Sequence, residues 1–189
     1  ENEIGIDEGI ILPLKTVSEI FRLLGSTGRC RFSLDERQFF IRVDNTEIVS
    51  RVVDGTFPNY RQVIPLEHTI EAIVETKKLI DSIRRAMVFT REPVNKIVLS
   101  FSKNSLSIEA NTPELGQAEE ELVIESNSDD SMSLGINAAF LLECLKEVDS
   151  YSIKCGLTGP MSPVTIAPED DKNYVSVIMP IQIRSSQGE

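Results

Sequence analysis

In the stretch TKKLIDSIRRAMVF, Thr76 to Phe89, two kinds of side chain sort onto opposite faces. Advancing about 100° per residue, Leu79, Ile80, Ile83, Ala86 and Met87 fall on one side. Lys77, Arg84, Arg85 and, less centrally, Lys78 fall on the other, with Asp81 the one acid among them. The spacing predicts an amphipathic helix, and Thr76 is of the residue type that caps one. Strand-like runs bounded by turn residues follow: KIVLSFS (96–102), SLSIEAN (105–111) after a turn at Lys103-Asn104, and AEEELVIES (118–126) after a loop at 113–116.

The same order of elements stands on both sides of this stretch. Upstream, LKTVSEIFRLLG places Val17, Ile20, Phe21 and Leu24 on one helical face, and Gly25 supplies a stop. RCRFSL, QFFIRV and EIVSRVV then read as short strands. Downstream, Asn137 caps AAFLLECLKEV, whose apolar stripe is Leu141, Leu142, Leu145 and Val148. YSIKCGLT, PVTIAP and YVSVIMPIQI complete that copy. The helices start near residues 16, 76 and 138, a repeat of roughly sixty residues. One helix and about three strands cannot close a core, whereas two such units can share one. The expected fold is therefore α+β, with helices on one face and antiparallel sheets on the other. The second and third units pair, and the first lacks its mate, as if a partner unit preceded it.

Charge is unevenly spread around these elements. Lys15 and Arg22 lie off the first apolar stripe, while Lys146 in the third helix is offset by Glu143 and Glu147. Acids gather on predicted strands and loops, at Glu119–Glu121, Asp129-Asp130 and Glu169–Asp171. A net charge of −11 argues against a protein that coats DNA, but it says nothing about which face carries which sign. The expected molecule is polarised, with basic helices behind acidic sheets.

Composition narrows the chemistry. The chain has 189 residues, 41% of them hydrophobic, which suits a folded globular protein. No apolar run approaches the roughly 18 residues of a membrane span, and the start does not resemble a signal peptide. The chain begins at Glu1 and not at Met, as a piece of something longer would. Cys30, Cys144 and Cys155 form no CxxC pair and read as buried, reduced thiols of a cytoplasmic protein. His68 is the only histidine and stands in an expected linker, so neither a zinc site nor a catalytic triad can be assembled around it. The GSTG run at 25–28 lacks phosphate-loop spacing and reads as a turn, and Asp170-Asp171 reads as a solvated loop. No enzyme activity, metal or cofactor is expected.

The segment VVDGTFPNYRQVIP, Val52 to Pro65, hands the chain from the first unit to the paired second and third. Pro58 and Pro65 lack a backbone donor and interrupt strand pairing there. Two readings stay open: a stiff linker with an aromatic packed on the joint, or a surface groove floored by apolar side chains and rimmed by Tyr60 and Arg61.

Taken together, VDGTFPNYRQVIP, ANTPELGQAEEEL, LGINAAFLLECLKEV and VIMPIQI resemble the bacterial DNA polymerase III beta subunit family, the sliding clamps. The resemblance runs from about Ile10 to Ile183 with the motifs in family order. It implies a DNA-clamp fold in which residues 1–66 are the second half of a middle domain, 67–184 a C-terminal domain and 185–189 a tail. It further implies a non-catalytic processivity factor of DNA replication, a homodimeric ring when full length, that encircles double-stranded DNA without reading sequence. The implied partners are the DNA polymerase III alpha subunit, the clamp loader and other proteins with a clamp-binding motif, received in an apolar groove.

Carried over residue by residue, the groove comprises Pro58, Gln62, Val63, Pro163, Val177, Ile178, Met179, Pro180 and Ile181. Phe57 and Tyr60 would hold its wall. The DNA-channel side comprises Arg22, Lys77, Lys78, Arg84 and Arg85; the ring interface comprises Val88, Phe89, Glu119, Glu120 and Glu121. Gln62 and Gln182 stand where some relatives carry arginine, which implies a less basic rim. The family's Thr-Asp-Gly-His-Arg motif would lie upstream of Glu1, so the implied groove is incomplete and the piece is expected not to close a ring. A reading from another class is a repeat-built scaffold for protein–protein interaction that never encircles DNA.

Overall fold

The computed structural model of the chain describes residues 9–25, 28–171 and 173–183. Ser26 and Thr27 of the GSTG run and the expected tail at 185–189 lie outside the described residues. The backbone divides into two compact units, Glu1–Asn59 and Tyr60–Glu189. The division falls ahead of the joint expected at Leu66. Tyr60–Gln62 forms a 3-10 turn, and Glu67 and Thr69 are hydrogen-bonded to Thr158 and Leu157 of the second unit.

In the first unit, helix α1 (Leu14–Leu23) precedes a meander of β1 (Cys30–Asp35), β2 (Gln38–Val43) and β3 (Thr46–Arg51), ordered β1-β2-β3. Both hairpins turn in two residues, with Glu36 at φ 45° and Asp44 at φ 50°. A tight hairpin requires such left-handed residues, and Asp adopts them more readily than most. Thr16 Oγ1 and Ser50 Oγ, 2.7 Å apart, tie α1 to β3. Phe39 and Ile41 are buried, but α1 buries no residue, and Leu14 and Phe21 remain 81% and 74% exposed. The expected stripe is only partly covered among the described residues: Val17 and Ile20 are half-buried, whereas Phe21 and Leu24 stay exposed. Cys30 corrects the expectation of buried thiols: every residue of β1 is exposed because no layer covers that strand among the described residues, and Cys144 is only half-buried. Cys155, in contrast, is fully buried in the second unit, and desolvation pushes its thiol up to about 12.

The second unit begins with β4 (Ile70–Glu75), α2 (Thr76–Met87), β5 (Lys96–Phe101), β6 (Ser105–Thr112), β7 (Gly116–Val123) and the short β8 (Glu125–Ser126). It repeats the pattern with β9 (Met132–Asn137), α3 (Ala138–Lys146), β10 (Ser152–Leu157), β11 (Val164–Pro168) and β12 (Ser176–Ile178). The sheets run β7-β6-β5-β9 and β12-β11-β10-β4-β8, and every pairing is antiparallel. Each three-strand meander therefore takes its next strand from the other half: β9 pairs with β5, and β4 pairs with β10.

Leu79, Ile83 and Ala86 of α2 and Leu141, Leu142 and Leu145 of α3 join the inward residues of both sheets in one core. The stripes expected from spacing are the buried ones. Asn137 caps α3 as expected, its side chain accepting from the amides of Ala139 and Phe140. Thr76 does not cap α2. Glu75 holds that position, and Thr76 is already helical, with a buried hydroxyl that has no partner among the described residues. Strand β4 runs straight into the helix, so no turn presents the threonine side chain to the free amides.

Replacing Ile83, wholly buried, with alanine should cost about 2–5 kcal/mol of stability. Phe21→Ala, at a side chain 74% exposed, should change stability by less than about 0.5 kcal/mol. Equilibrium urea unfolding of the two variants beside the parent chain checks both, and a large loss from Phe21→Ala would show that the α1 stripe is covered.

Candidate functional site

Helix α2 sets Lys77, Lys78, Arg84 and Arg85 on its exposed side because Leu79, Ile83 and Ala86 occupy the side facing the core. Most of these cations are already engaged. Lys78 Nζ lies 2.6 Å from Glu75, and Arg84 lies 3.6 Å from Asp81, one helical turn away. Arg85 reaches across to β7 and holds Glu120 with both ends of its guanidinium, Nε to Oε1 at 2.7 Å and Nη2 to Oε2 at 2.6 Å. Ser82 accepts from the same Nη2 and donates to the same carboxylate. Lys77 makes no ion pair among the described residues. In the first unit, Arg22 pairs with Glu19 along α1.

The acidic run on β7 is divided by strand geometry. Successive side chains of a strand point to opposite faces, so Glu119 and Glu121 face away from α2 while Glu120 shares the helix side with Ala118 and Leu122. Glu121 accepts from Ser105 at 2.6 Å. The Arg85 hydrogen bonds hold the Glu120 carboxyl below its ordinary value of 4.5, and Glu120 in turn raises Arg85. A hydrogen bond from Lys78 similarly lowers Glu75. Residues expected in two different places, Arg85 on a channel wall and Glu120 at an interface, thus form one latch between helix and edge strand. Val88 is 69% exposed just past the helix end, and Phe89 packs against the core.

The C-terminal run joins the two sheets. β12 pairs with β11 through Val164↔Ile178 and Thr165↔Val177, and after Pro180 the chain pairs again at Ile181 with Gly135 of β9. Pro180, which has no amide hydrogen, marks the break between these pairings. Side chains alternate along the run: Ile178 and Pro180 are buried, while Met179 stands 59% exposed between them. Gly135 is required here, because a Cβ on it would lie 2.6 Å from the carbonyl oxygen of Ile181. Gln62 and the half-exposed Val63 belong to the same unit, as does Pro163, whereas Pro58 belongs to the first. Beside Ile181 and Gln182 a cleft of about 470 Å³ opens, lined also by Arg91, Glu92, Val94 and Lys96.

Some residues at this end of the unit were not singled out by sequence. Met161 is 53% exposed in the loop before Pro163, and flanking Gly159, Pro160 and Ser162 are the signal that could have marked it. His68 is not a mere linker residue: its Nε2 lies 2.9 Å from Thr165 Oγ1. Among the described residues no group of three or more His, Cys, Asp or Glu is placed to hold a metal, and no helix is long and apolar enough to cross a membrane.

A family model for the DNA polymerase III beta subunit, central domain, matches residues 1–59, and one for its C-terminal domain matches residues 61–182. The chain belongs to the DNA polymerase III beta subunit family. Among curated relatives, a beta sliding clamp of Rickettsia felis is 31% identical over 93% of this chain and 50% of its own length. That of Bacillus subtilis is 27% identical over 92% and 47%. A sliding clamp from Pseudomonas aeruginosa, solved bound to griselimycin, superposes with a TM-score of 0.84 at 27% identity, covering 92% of this chain and 47% of that one. The fold is the DNA-clamp fold that the resemblance implies, with the α+β layers expected from the repeat. The chain spans about half the length of the curated relatives it matches.

Because Glu120 is depressed in the folded state, it contributes stability at pH values above its ordinary 4.5, and this is lost as pH falls through the lowered value. Glu120→Gln should therefore be less stable than the parent at neutral pH and approach it as pH falls below 4.5 and through the lowered value. Thermal midpoints of the two proteins across that range check the sign.

Proposed function

We propose that this chain is part of a non-catalytic sliding clamp that tethers a replicative DNA polymerase and other partners to duplex DNA. The observation that carries this reading is the match of both units, in order, to the central and C-terminal domains of one clamp family. In this reading Lys77, Lys78, Arg84, Arg85 and Arg22 face the duplex. Contacts to phosphate position DNA without specifying sequence, and weak ones permit sliding while enclosure does the retaining.

Pro58, Gln62, Val63, Pro163 and the run Val177–Ile181 form the receiving groove for apolar peptide anchors. Met179 is suited to it because an unbranched thioether repacks around different guests. Val88, Phe89, Glu119, Glu120 and Glu121 meet a neighbouring subunit, with residues 1–66 and 67–184 acting as parts of separate clamp domains. The partners are the polymerase alpha subunit, the clamp loader and other proteins carrying the same short motif, in a cytoplasmic replication complex and a homodimeric ring.

The internal pairing of Lys78, Arg84, Arg85 and Arg22, with a net charge of −11, favours a second reading, a protein-interaction scaffold that does not meet DNA. Two measurements on the 189-residue chain separate the readings. A fluorescein-labelled peptide with leucine and phenylalanine anchors should bind, and Met179→Ala should weaken it about fivefold or more. The chain should bind duplex DNA with a dissociation constant of about 10⁻⁴ to 10⁻⁶ M at physiological salt, tighter at low salt and weaker as salt rises. The double change Lys77→Glu, Arg84→Glu should abolish that binding. Duplex binding that is absent, or indifferent to those charges, would leave the scaffold reading standing.

A further inference from the structure

One row of residues crosses four strands on the outward face of the β12-β11-β10-β4-β8 sheet. Register places Glu71 of β4 beside Gly156 of β10, Gly156 beside Thr165 of β11, and Thr165 beside Val177 of β12. The His68 side chain lies along this row. Its Nδ1 is 3.6 Å from Glu71 Oε1 at one end, and its Nε2 is 2.9 Å from Thr165 Oγ1 at the other. Gly156 is the gap that admits the ring: a Cβ there would come within 2.5 Å of His68 Cδ2 and Nε2. The His68 side chain is only 17% exposed and Thr165 6%; the Thr165 hydroxyl also reaches the Gly156 carbonyl at 3.5 Å, but the ring nitrogen facing β11 has its partner in that hydroxyl.

The backbone around His68 is stitched to the end of β10. Thr69 N–H donates to the Leu157 carbonyl at 2.7 Å, and the Thr158 hydroxyl donates to the Glu67 carbonyl at 3.2 Å. Those bonds, with the Thr69 hydroxyl donating to the Thr158 carbonyl at 3.3 Å, anchor the entering chain at the end of β10. The His68 ring supplies a second point, on the adjacent strand β11. The strand it reaches follows Pro163, and the next residue in the row is Val177.

We propose that His68 is a positioning residue for the peptide groove: its ring, seated over Gly156 and bonded to Thr165, sets the approach of the segment carrying Gln62 and Val63 to the β11–β12 edge. This inference rests on the groove reading above for its functional consequence, though not for the bond itself. The substituents at 68, 156 and 165 are then a matched set, in which a side chain at 156 acts as the loss of the ring does.

Hydrogen exchange within Gln62–Leu66, read above all at the Val63 amide that donates to the Tyr60 carbonyl, tests the strut directly, on the 189-residue chain. Exchange there should quicken about tenfold in His68→Ala, Thr165→Val and Gly156→Ala, and stay near the parent rate in His68→Gln, whose amide reaches the same hydroxyl. The core amides of Ile83 and Leu106 should keep their protection in each variant. If His68→Ala does not fold, Thr165→Val reads the same bond.

Affinity for the labelled peptide should fall in the same three variants, by about the same factor, and recover in His68→Gln. Unchanged exchange at 62–66 in folded His68→Ala or Thr165→Val overturns the proposal. Faster exchange with no peptide binding even by the parent upholds the strut and removes the groove instead.

Discussion

Neither half of the Tyr60–Glu189 unit can complete a sheet with its own strands. The meander β5-β6-β7 ends on β9, contributed by the other half, and β10-β11-β12 ends on β4. Each borrowed strand leads directly into a helix whose apolar side faces the common core, so a half that withdrew would take a strand and a helix out of its neighbour. The exchange is repeated in its smaller details. After β7 the chain returns as β8 to pair with β4, at Ile73↔Glu125; after β12 it returns to pair with β9, at Gly135↔Ile181. The two halves therefore fold as one cooperative body, whereas the first unit has a helix and a meander and covers only part of its stripe, burying no residue of the helix. Leu14 and Phe21 measure what sharing a core contributes, because the equivalent positions on α2 and α3 are sealed.

This exchange also sets where the apolar C-terminal run lies. To reach β9 from β12, the chain must pass from one sheet to the other, and it does so at Met179-Pro180. A continuous strand would have paired its whole length and buried alternate residues uniformly. Pro180 interrupts the ladder, Gly135 lets the returning backbone come close, and Met179 is left facing outward between two buried neighbours. An exposed, adaptable side chain at that point follows from the topology of two sheets held by one core.

The sequence revealed the parts whose period is clean and whose ends are punctuated. The helical stripes of α2 and α3 were legible from Leu79, Ile83, Leu141 and Leu145, and the meander strands from the turn residues between them. The strands β4 and β9 were not. In β4, Ile70, Ala72 and Val74 alternate with Glu71, Ile73 and Glu75, but the period changes to that of a helix at Thr76 without any intervening turn residue. In β9, Leu134 to Asn137 are all buried, so alternation is lost altogether. The same missing punctuation made Thr76 look like a cap. At the site, residue types were legible but partners were not: nothing in the run Glu119–Glu121 says that only its middle member turns toward Arg85. That follows from which face of β7 meets α2, a tertiary fact. His68, isolated in sequence, acquires its role only when β10 and β11 bring Gly156 and Thr165 beneath it.

The charge arrangement shows how a chain with a net charge of −11 still presents a basic surface. Acids such as Glu109, Glu119 and Glu121 project from the outward face of a sheet, while Lys77, Lys78, Arg84 and Arg85 project from the solvent side of α2. Yet Glu75, Asp81 and Glu120 each hold one of those cations, so the helix carries ordered cations whose fields are partly cancelled at close range. Such pairs are worth little to stability when exposed, and they keep long side chains from extending toward a phosphate. In the proposed clamp, a surface built this way would bind a polyanion loosely, with Lys77 the readiest donor. Tight binding would need those acids gone; a molecule that retains its partner by enclosure gains from keeping them.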